Sequence, residues 1–134
     1  MTPFKLKIIT PEKTFFSGDT TQIIAKTTMG NVGILHGHVP YVANLVSSPI
    51  LIEVDGELKE AALSGGFLKV SPDDVVVVTY AIEWADEIDV ARAERSKQNA
   101  EERMKRHESQ KEFDRAEKKL KRALNRLLVA GRKH

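Results

Sequence analysis

The sequence of 134 residues contains no cysteine, which excludes disulfide bonds and thiolate metal sites and gives no sign of an oxidising compartment. No apolar run approaches the roughly 18 residues that a membrane-spanning helix needs. The segment 1–7 carries lysines where a signal peptide has its apolar run. These absences predict a soluble intracellular protein, which can still sit at the periphery of a membrane complex.

Familiar catalytic motifs are absent as well. No Gly-Lys dipeptide occurs, so a phosphate-binding loop of the Walker type is excluded. His36 and His38 are potential metal ligands, but no third or fourth ligand clusters near them, and a loop or interface role is favoured. No base is placed for Ser64, and the Gly65-Gly66 pair after it predicts a bulge or a close approach of the backbone. We therefore expect neither a catalytic nor a metal site.

Charge divides the chain near residue 84. Residues 1–84 contain 6 Lys/Arg and 9 Asp/Glu, whereas residues 85–134 contain 15 and 10. A basic second half suggests an acidic partner, such as phosphate, nucleic acid or an acidic protein surface.

Residues 1–84 have the pattern of an antiparallel β-sandwich, because short apolar runs alternate with turn residues every 8–12 residues or so. Two such runs are predicted at 41–46 and 50–54. Asp55-Gly56 then predicts a tight hairpin turn. The nearly continuous apolar run 75–80 predicts a strand buried on both faces.

After residue 84 the hydrophobic period changes to spacings of three and four, which predicts an antiparallel two-helix hairpin over residues 85–134. Asp86 is the predicted cap of the first helix, with Asp89 in its first turn. Ser109–Glu112 has the pattern of a capping box at the start of the second helix, and Gly131 is its predicted C-terminal cap. The predicted fold class is thus α+β, a sandwich followed by a helical hairpin.

The predicted seam between the two helices is thin. Its members are Val90, Ala93, Lys97, Ala100 and Met104 on the first helix, and Phe113, Ala116, Leu120, Ala123, Leu124 and Leu127 on the second. An alanine in place of a leucine forfeits roughly 2–5 kcal/mol of packing. We therefore expect a marginally stable hairpin whose conformation depends on what it touches, as a switch requires.

Three stretches together resemble the epsilon subunit of bacterial rotary ATP synthases. They are Gly33–Pro40 (GILHGHVP), Ser64–Phe67 (SGGF) and Ile88–Ala93 (IDVARA), and the resemblance covers essentially the whole chain. It implies a non-catalytic subunit on the cytoplasmic face of the cell membrane, held there peripherally. The sandwich of this family binds the gamma subunit and the rotor ring of c subunits. The hairpin folds against the sandwich, or extends toward the catalytic alpha and beta subunits and blocks ATP hydrolysis.

The resemblance also implies a regulatory ATP site in the folded form. The motif Ile/Leu-Asp-x-x-Arg-Ala is complete in this chain, and the implied nucleotide-binding residues are Glu83, Ile88, Asp89, Arg92, Ala93, Arg122 and Arg126. Glu83 and the first helical turn would surround the adenine and ribose, and Arg122 and Arg126 the phosphates. Asn99 departs from the arginine that nucleotide-binding relatives tend to carry. Whether Mg²⁺ accompanies the nucleotide stays open.

Each implied site residue also has a purely structural interpretation. Asp89 is an acid in a first helical turn, and Arg92 is placed three residues on to pair with it. Arg122 and Arg126 belong to a stripe with Arg115 and Lys119 at spacings of four, three and four. Such a stripe is either a solvated face or a phosphate clamp.

Three other functions are alternatives to a subunit whose hairpin is regulated by ATP. The first is a nucleic-acid module, disfavoured because the helical half has few aromatic residues for base stacking, and we expect no nucleic-acid partner. The second is a stand-alone enzyme, disfavoured by the missing catalytic set. The third is an epsilon subunit whose hairpin inhibits hydrolysis without sensing ATP, which Asn99 keeps open.

Overall fold

The computed structural model describes residues 1–131, so the end of the predicted hairpin, residues 132–134, lies outside the described residues. The strands are β1 Phe4–Ile9, β2 Thr14–Thr20, β3 Ile23–Thr27, β4 Gly30–Ile34, β5 Tyr41–Val54, β6 Glu57–Val70, β7 Asp74–Val78 and β8 Ile82–Trp84. A 3-10 turn, Ala85–Glu87, leads to the helices α1 Val90–Arg106 and α2 Gln110–Gly131. None of the helices described is long and apolar enough to cross a membrane.

The strands form one continuous hydrogen-bonded ladder in the order β2-β1-β7-β6-β5-β3-β4, with β8 also paired to β6. Leu6 near one end of the ladder and Ile34 at the other are both fully buried in the same apolar core. The ladder therefore folds over on itself into two layers, and the predicted sandwich is confirmed. One pair differs from the antiparallel prediction, since β1 and β7 run parallel.

The two longest strands are not the short runs that the sequence suggests. β5 and β6 have 14 residues each and keep one register from Tyr41–Val70 to Val54–Glu57. Pro49, which separates the predicted runs 41–46 and 50–54, lies inside β5 opposite Ala62. The predicted turn is confirmed, because Asp55 and Gly56 both have positive φ.

The diglycine of β6 is a close backbone approach, as predicted. Gly65 and Gly66 both have positive φ, and a Cβ on Gly66 would lie 2.0 Å from the carbonyl oxygen of Val78. Here β6 passes from pairing with β7 to pairing with β8, and the Thr79 hydroxyl donates to the Gly65 carbonyl oxygen at 2.5 Å. Tyr80 follows with its side chain 73% exposed, directed away from the core.

The prediction of a strand buried on both faces is only half right for β7. Val75 and Val77 are fully buried, whereas Val76 and Val78 are half-buried. β7 also ends at Val78 rather than at residue 80, because the backbone turns away where it meets Gly66.

Three predicted capping arrangements differ from those in the structure. α1 begins after Asp89, whose Oδ1 accepts from the Arg92 backbone N–H at 3.0 Å, while Asp86 lies in the preceding 3-10 turn. Ser109 caps α2 by accepting from the Glu112 backbone N–H, but the Glu112 carboxylate accepts from Arg115 and so completes no box. Gly131 is still helical and has no positive φ, so it is not a left-handed cap.

The hairpin lies folded against the sandwich. α1 packs on α2, and α2 packs on β5, β6 and the 3-10 turn. The seam is as thin as predicted, since its fully buried members include Ala93, Ala100, Ala116 and Ala123. Two predicted seam residues, Val90 and Leu124, are instead exposed at the surface, and Asn125 and Val129 are buried in α2.

Replacing Gly66 with alanine should destabilise the fold by more than about 3 kcal/mol, because the new Cβ meets backbone atoms that cannot move aside and φ is positive. Gly33→Ala is the matched control, since no atom lies within 4 Å of its added Cβ and φ is not positive. It should change stability by at most about 0.5 kcal/mol. Urea unfolding of both variants measures the difference, and equal midpoints would contradict the close approach.

Candidate functional site

A pocket of about 310 Å³ lies between the folded hairpin and the sandwich. It is lined by Ser64, Tyr80, Ala81, Ser96, Asn99, Ala100, Arg103, Lys119, Arg122, Ala123 and Arg126. The volume is at the small end of the roughly 300–1,000 Å³ range of ligand sites. Both helices and the strand crossing contribute, so the pocket exists only while the hairpin is docked.

The floor of the pocket comes from the sandwich. Ser64, Tyr80 and Ala81 form it, and they stand beside the diglycine crossing. The Ser64 N–H donates to the Ala81 carbonyl oxygen at 2.9 Å, which ties β6 to the segment between β7 and β8. The tight crossing therefore presents Tyr80 to the hairpin.

The wall from α2 is basic. Lys119, Arg122 and Arg126 recur at spacings of three and four, which places them on one helix face. The Arg122 guanidinium carbon lies 5.5 Å from the centre of the Tyr80 ring, within cation–π range. Arg126 Nε lies 2.6 Å from Glu83 Oε1, and both side chains are about one-third exposed. These two contacts join the hairpin to the sandwich.

The wall from α1 consists of Ser96, Asn99, Ala100 and Arg103. Arg103 is a site residue that the sequence reasoning missed. Its spacing could have identified it, because Arg103 lies four residues after Asn99 and therefore on the same face of the helix. Asn99 contributes an uncharged amide to the lining.

The lining groups suit a ligand with several negative charges. Four are cationic, two are serine hydroxyls, and no Asp or Glu is among them. Guanidinium groups match phosphate oxygens with paired donors, and Lys119 adds a point charge. The donor set therefore fits a phosphate chain.

Comparison with known proteins agrees with the fold and the order of its parts. The family described as "ATP synthase, Delta/Epsilon chain, beta-sandwich domain" matches residues 3–85, and "ATP synthase, Delta/Epsilon chain, long alpha-helix domain" matches residues 86–131. An ATP synthase epsilon chain of Ruminococcus albus is 59% identical over 134 residues, which cover 99% of this chain and 100% of that one. Another, from Caldanaerobacter subterraneus, is 43% identical over 130 residues, covering 96% and 94%. The chain belongs to the ATP synthase epsilon chain family.

A solved neighbour extends the comparison to the fold alone. A chain in a structure of the Euglena gracilis mitochondrial ATP synthase aligns with a TM-score of 0.77 at 20% identity, covering 90% of this chain and 77% of that one. The family models and the relatives confirm the resemblance, and together with this neighbour's fold they confirm the α+β fold class. The chain is an epsilon subunit, a component of the complex rather than one of its catalytic subunits.

Only part of the predicted nucleotide site of this epsilon chain comes together in the pocket. Arg122 and Arg126 line it, and Glu83 adjoins it through Arg126. Arg115, the fourth member of the predicted stripe, stays outside and pairs with Glu112 at 3.3 Å.

The motif at the start of α1 lies apart from the pocket lining, which includes none of Ile88, Asp89, Arg92 and Ala93. Asp89 is seven residues before Ser96, about 10 Å along the helix axis. Its carboxylate serves as the helix cap, and among the ion pairs of residues 1–131 none joins it to the Arg92 guanidinium. Ala93 is buried and Ile88 is half-buried.

The two histidines occupy a loop beside the sandwich. The His38 ring faces the carbonyl oxygens of Leu35 and Ser71, the latter at 2.7 Å, and stands edge-on to Phe4. Within residues 1–131, no group of three or more His, Cys, Asp or Glu is arranged to hold a metal ion.

Asp89→Ala should weaken the start of α1 by about 1 kcal/mol, because the Arg92 N–H loses its acceptor. Asp89→Ser keeps a capping oxygen without the charge and should stay within about 0.5 kcal/mol of wild type. Thermal unfolding and the amide exchange of residues 90–94 measure both effects. Wild-type stability in both variants would show that the cap contributes nothing.

Proposed function

We propose that this epsilon subunit is the regulatory part of the central stalk of ATP synthase. Its sandwich contacts the gamma subunit and the ring of c subunits, peripherally on the cytoplasmic face of the cell membrane. Its hairpin is an inhibitory arm that bound ATP holds folded. Family membership supports the place in the complex, and the basic pocket under the folded hairpin supports the ligand.

The pocket carries this proposal because its parts belong to three separate pieces of the chain. Arg103 comes from α1, Lys119, Arg122 and Arg126 come from α2, and Tyr80 comes from the sandwich. A phosphate chain bound there contacts both helices and the sandwich surface at once. It therefore stabilises the folded arm and has no such set of contacts with an extended one.

The docked arm is weakly held, so a ligand of modest affinity can control it. Small alanine contacts form the seam, and the Glu83–Arg126 pair is about one-third exposed, where such pairs contribute roughly 0–1 kcal/mol. A ligand at 100 times its Kd adds about 2.7 kcal/mol to the state that binds it.

Residues 88–93 enter the proposal as the recognition site for adenine and ribose, as the family resemblance implies. The exposed Asp89 carboxylate retains a second oxygen, Oδ2, beyond the cap bond made by Oδ1. The pocket lining has no carboxylate, so Mg²⁺ that arrives with the nucleotide would be held by phosphate oxygens and water.

When the arm extends, Arg122 and Arg126 leave Tyr80 and Glu83. They then become available to acidic residues of the catalytic alpha and beta subunits, and charge pairing there holds the inhibited state. ATP and the acidic surface compete for the same two arginines.

The alternative is an arm that inhibits without sensing ATP. Two observations favour it: Asn99 supplies no charge to the pocket, and Glu83 already occupies Arg126. Both lower the affinity for a polyphosphate.

Calorimetric titration of the isolated protein tests the ligand. Wild type should bind ATP with Kd between about 1 µM and about 1 mM and bind ADP more weakly, since ADP offers fewer phosphate oxygens. Asn99→Arg should tighten ATP binding about three- to tenfold by adding one charged donor. Gln98→Arg adds the same charge one residue away on the exposed surface and should not.

Asp89→Ser separates capping from ligand binding in the same titration. If the carboxylate binds the nucleotide, this variant keeps its stability and loses ATP affinity. If wild type binds no ATP even at concentrations on the order of several millimolar, the alternative is favoured, in which the arm inhibits without sensing ATP.

Removing Arg122 and Arg126 together by alanine substitution should abolish ATP binding and also relieve inhibition of ATP hydrolysis in the assembled complex. The control is Lys118→Ala with Lys121→Ala, which removes two exposed charges from α2 outside the pocket. Hydrolysis rates of reconstituted complexes measure the outcome. Unchanged inhibition in the arginine variant would rule out a shared role for the two side chains.

A further inference from the structure

Asn125 is the one polar residue of α2 that is buried in the docked hairpin, with 7% of its surface exposed. Its Nδ2 donates to the backbone carbonyl oxygen of Leu63 at 3.1 Å, in the middle of β6. This hydrogen bond joins two residues 62 positions apart and links the helix directly to the sheet. Apolar contacts tolerate sliding, but a hydrogen bond to one particular carbonyl group specifies a position.

Both residues joined by this hydrogen bond lie beside pocket residues in the sequence. Leu63 directly precedes Ser64 of the pocket floor, and it is the last residue of β6 to pair with β8. Asn125 follows Arg122 by three residues and directly precedes Arg126. Whatever fixes Asn125 on Leu63 therefore fixes where both arginines stand relative to Tyr80 and Glu83.

The bond also has a cost. Asn125 Oδ1 is buried, and no donor within residues 1–131 reaches it. A buried amide oxygen without a partner weakens the state that buries it. In coiled coils a single buried asparagine specifies the register of the helices at a similar cost in stability.

We propose that Asn125 is a positioning residue that sets the register of α2 on the sandwich and so holds Arg122 and Arg126 at the pocket. Its role in ligand binding rests on the proposed function, whereas its role in docking does not. A hydrophobic residue in its place gives a firmer but less specific docking. The asparagine thus keeps the arm both correctly placed and releasable.

The first test is Asn125→Leu in the full chain. Leucine fills the site and removes the unpaired oxygen, so amide exchange across residues 120–129 should be as slow as in wild type or slower. ATP affinity should nevertheless fall about tenfold or more, because the arginines are no longer held in one register. Amide exchange as slow as in wild type, together with wild-type ATP affinity, would overturn the positioning role. Amide exchange faster than in wild type would overturn it as well.

The second test needs no ligand and isolates the donor. Asn125→Asp has the shape of the asparagine, and a neutral carboxyl O–H can donate to the Leu63 carbonyl oxygen, whereas an ionised one cannot. Burial raises the pKa of such a carboxyl above its unfolded value. Docking is therefore present at low pH and lost as pH rises through the folded-state pKa.

Protection of residues 120–129 from amide exchange, corrected for intrinsic rates, should thus be near wild type at about pH 4 and at least about tenfold lower at about pH 8. Arg122 and Arg126, which lie beside Asn125 on α2, and Glu83, which pairs with Arg126, are common to variant and wild type. Asn31→Asp makes the same change at an exposed site of β4 and should show no such loss. Equal protection at both pH values would overturn the proposal, even if wild type binds no ATP.

Discussion

The docking of α2 onto β5 and β6 is the contact on which the site depends, because every wall of the pocket is in place only while it persists. That contact is modest in kind. In the separate contact between α1 and α2, the fully buried side chains include the alanines at 93, 100, 116 and 123, which bury little apolar area. One side-chain amide hydrogen bond, one partly exposed ion pair and one cation–π contact then connect α2 to the sandwich. An arm held this way is well defined in position and low in stability, and such segments are the ones that move in switches.

The sandwich contributes more than a passive surface. Gly66 lets the Val78–Thr79 backbone approach to a distance that no other residue permits, and the Thr79 hydroxyl bonds across the crossing to Gly65. The chain must then turn Tyr80 outward, under the arginine that α2 brings. A tightly packed feature of the sandwich thus places an aromatic ring at the surface on which α2 packs. The SGGF stretch therefore links the stability of the sandwich to the geometry of the pocket.

Hydrophobic period, turn residues and helical spacing were sufficient to predict the sandwich, the hairpin and the basic stripe. They failed where tertiary contacts decide. The apolar runs 41–46 and 50–54 suggested two short strands, but pairing with β6 carries the single strand β5 through Pro49. Leu124 matched the apolar period and is exposed, whereas Asn125 does not match it and is buried, because docking on the sheet rotates the buried face. Asp86 was the predicted cap, but the 3-10 turn Ala85–Glu87 delays the start of α1 and makes Asp89 the cap. Arg103 could have been identified as a pocket residue from its spacing of four residues from Asn99 alone.

The ion pair between Glu83 and Arg126 makes the proposed switch depend on the negative charge of its ligand. In the folded hairpin, Glu83 pairs with the arginine at the edge of the pocket. A ligand must compete with that carboxylate for the guanidinium. A single negative charge gains little from the exchange, since it replaces one ion pair by another of similar strength. A phosphate chain also reaches Arg103, Lys119 and Arg122, and these additional contacts are the net gain. Competition by Glu83 lowers the affinity of every ligand that uses Arg126, and the contacts with the other cations then make the proposed site favour a triphosphate over shorter ligands.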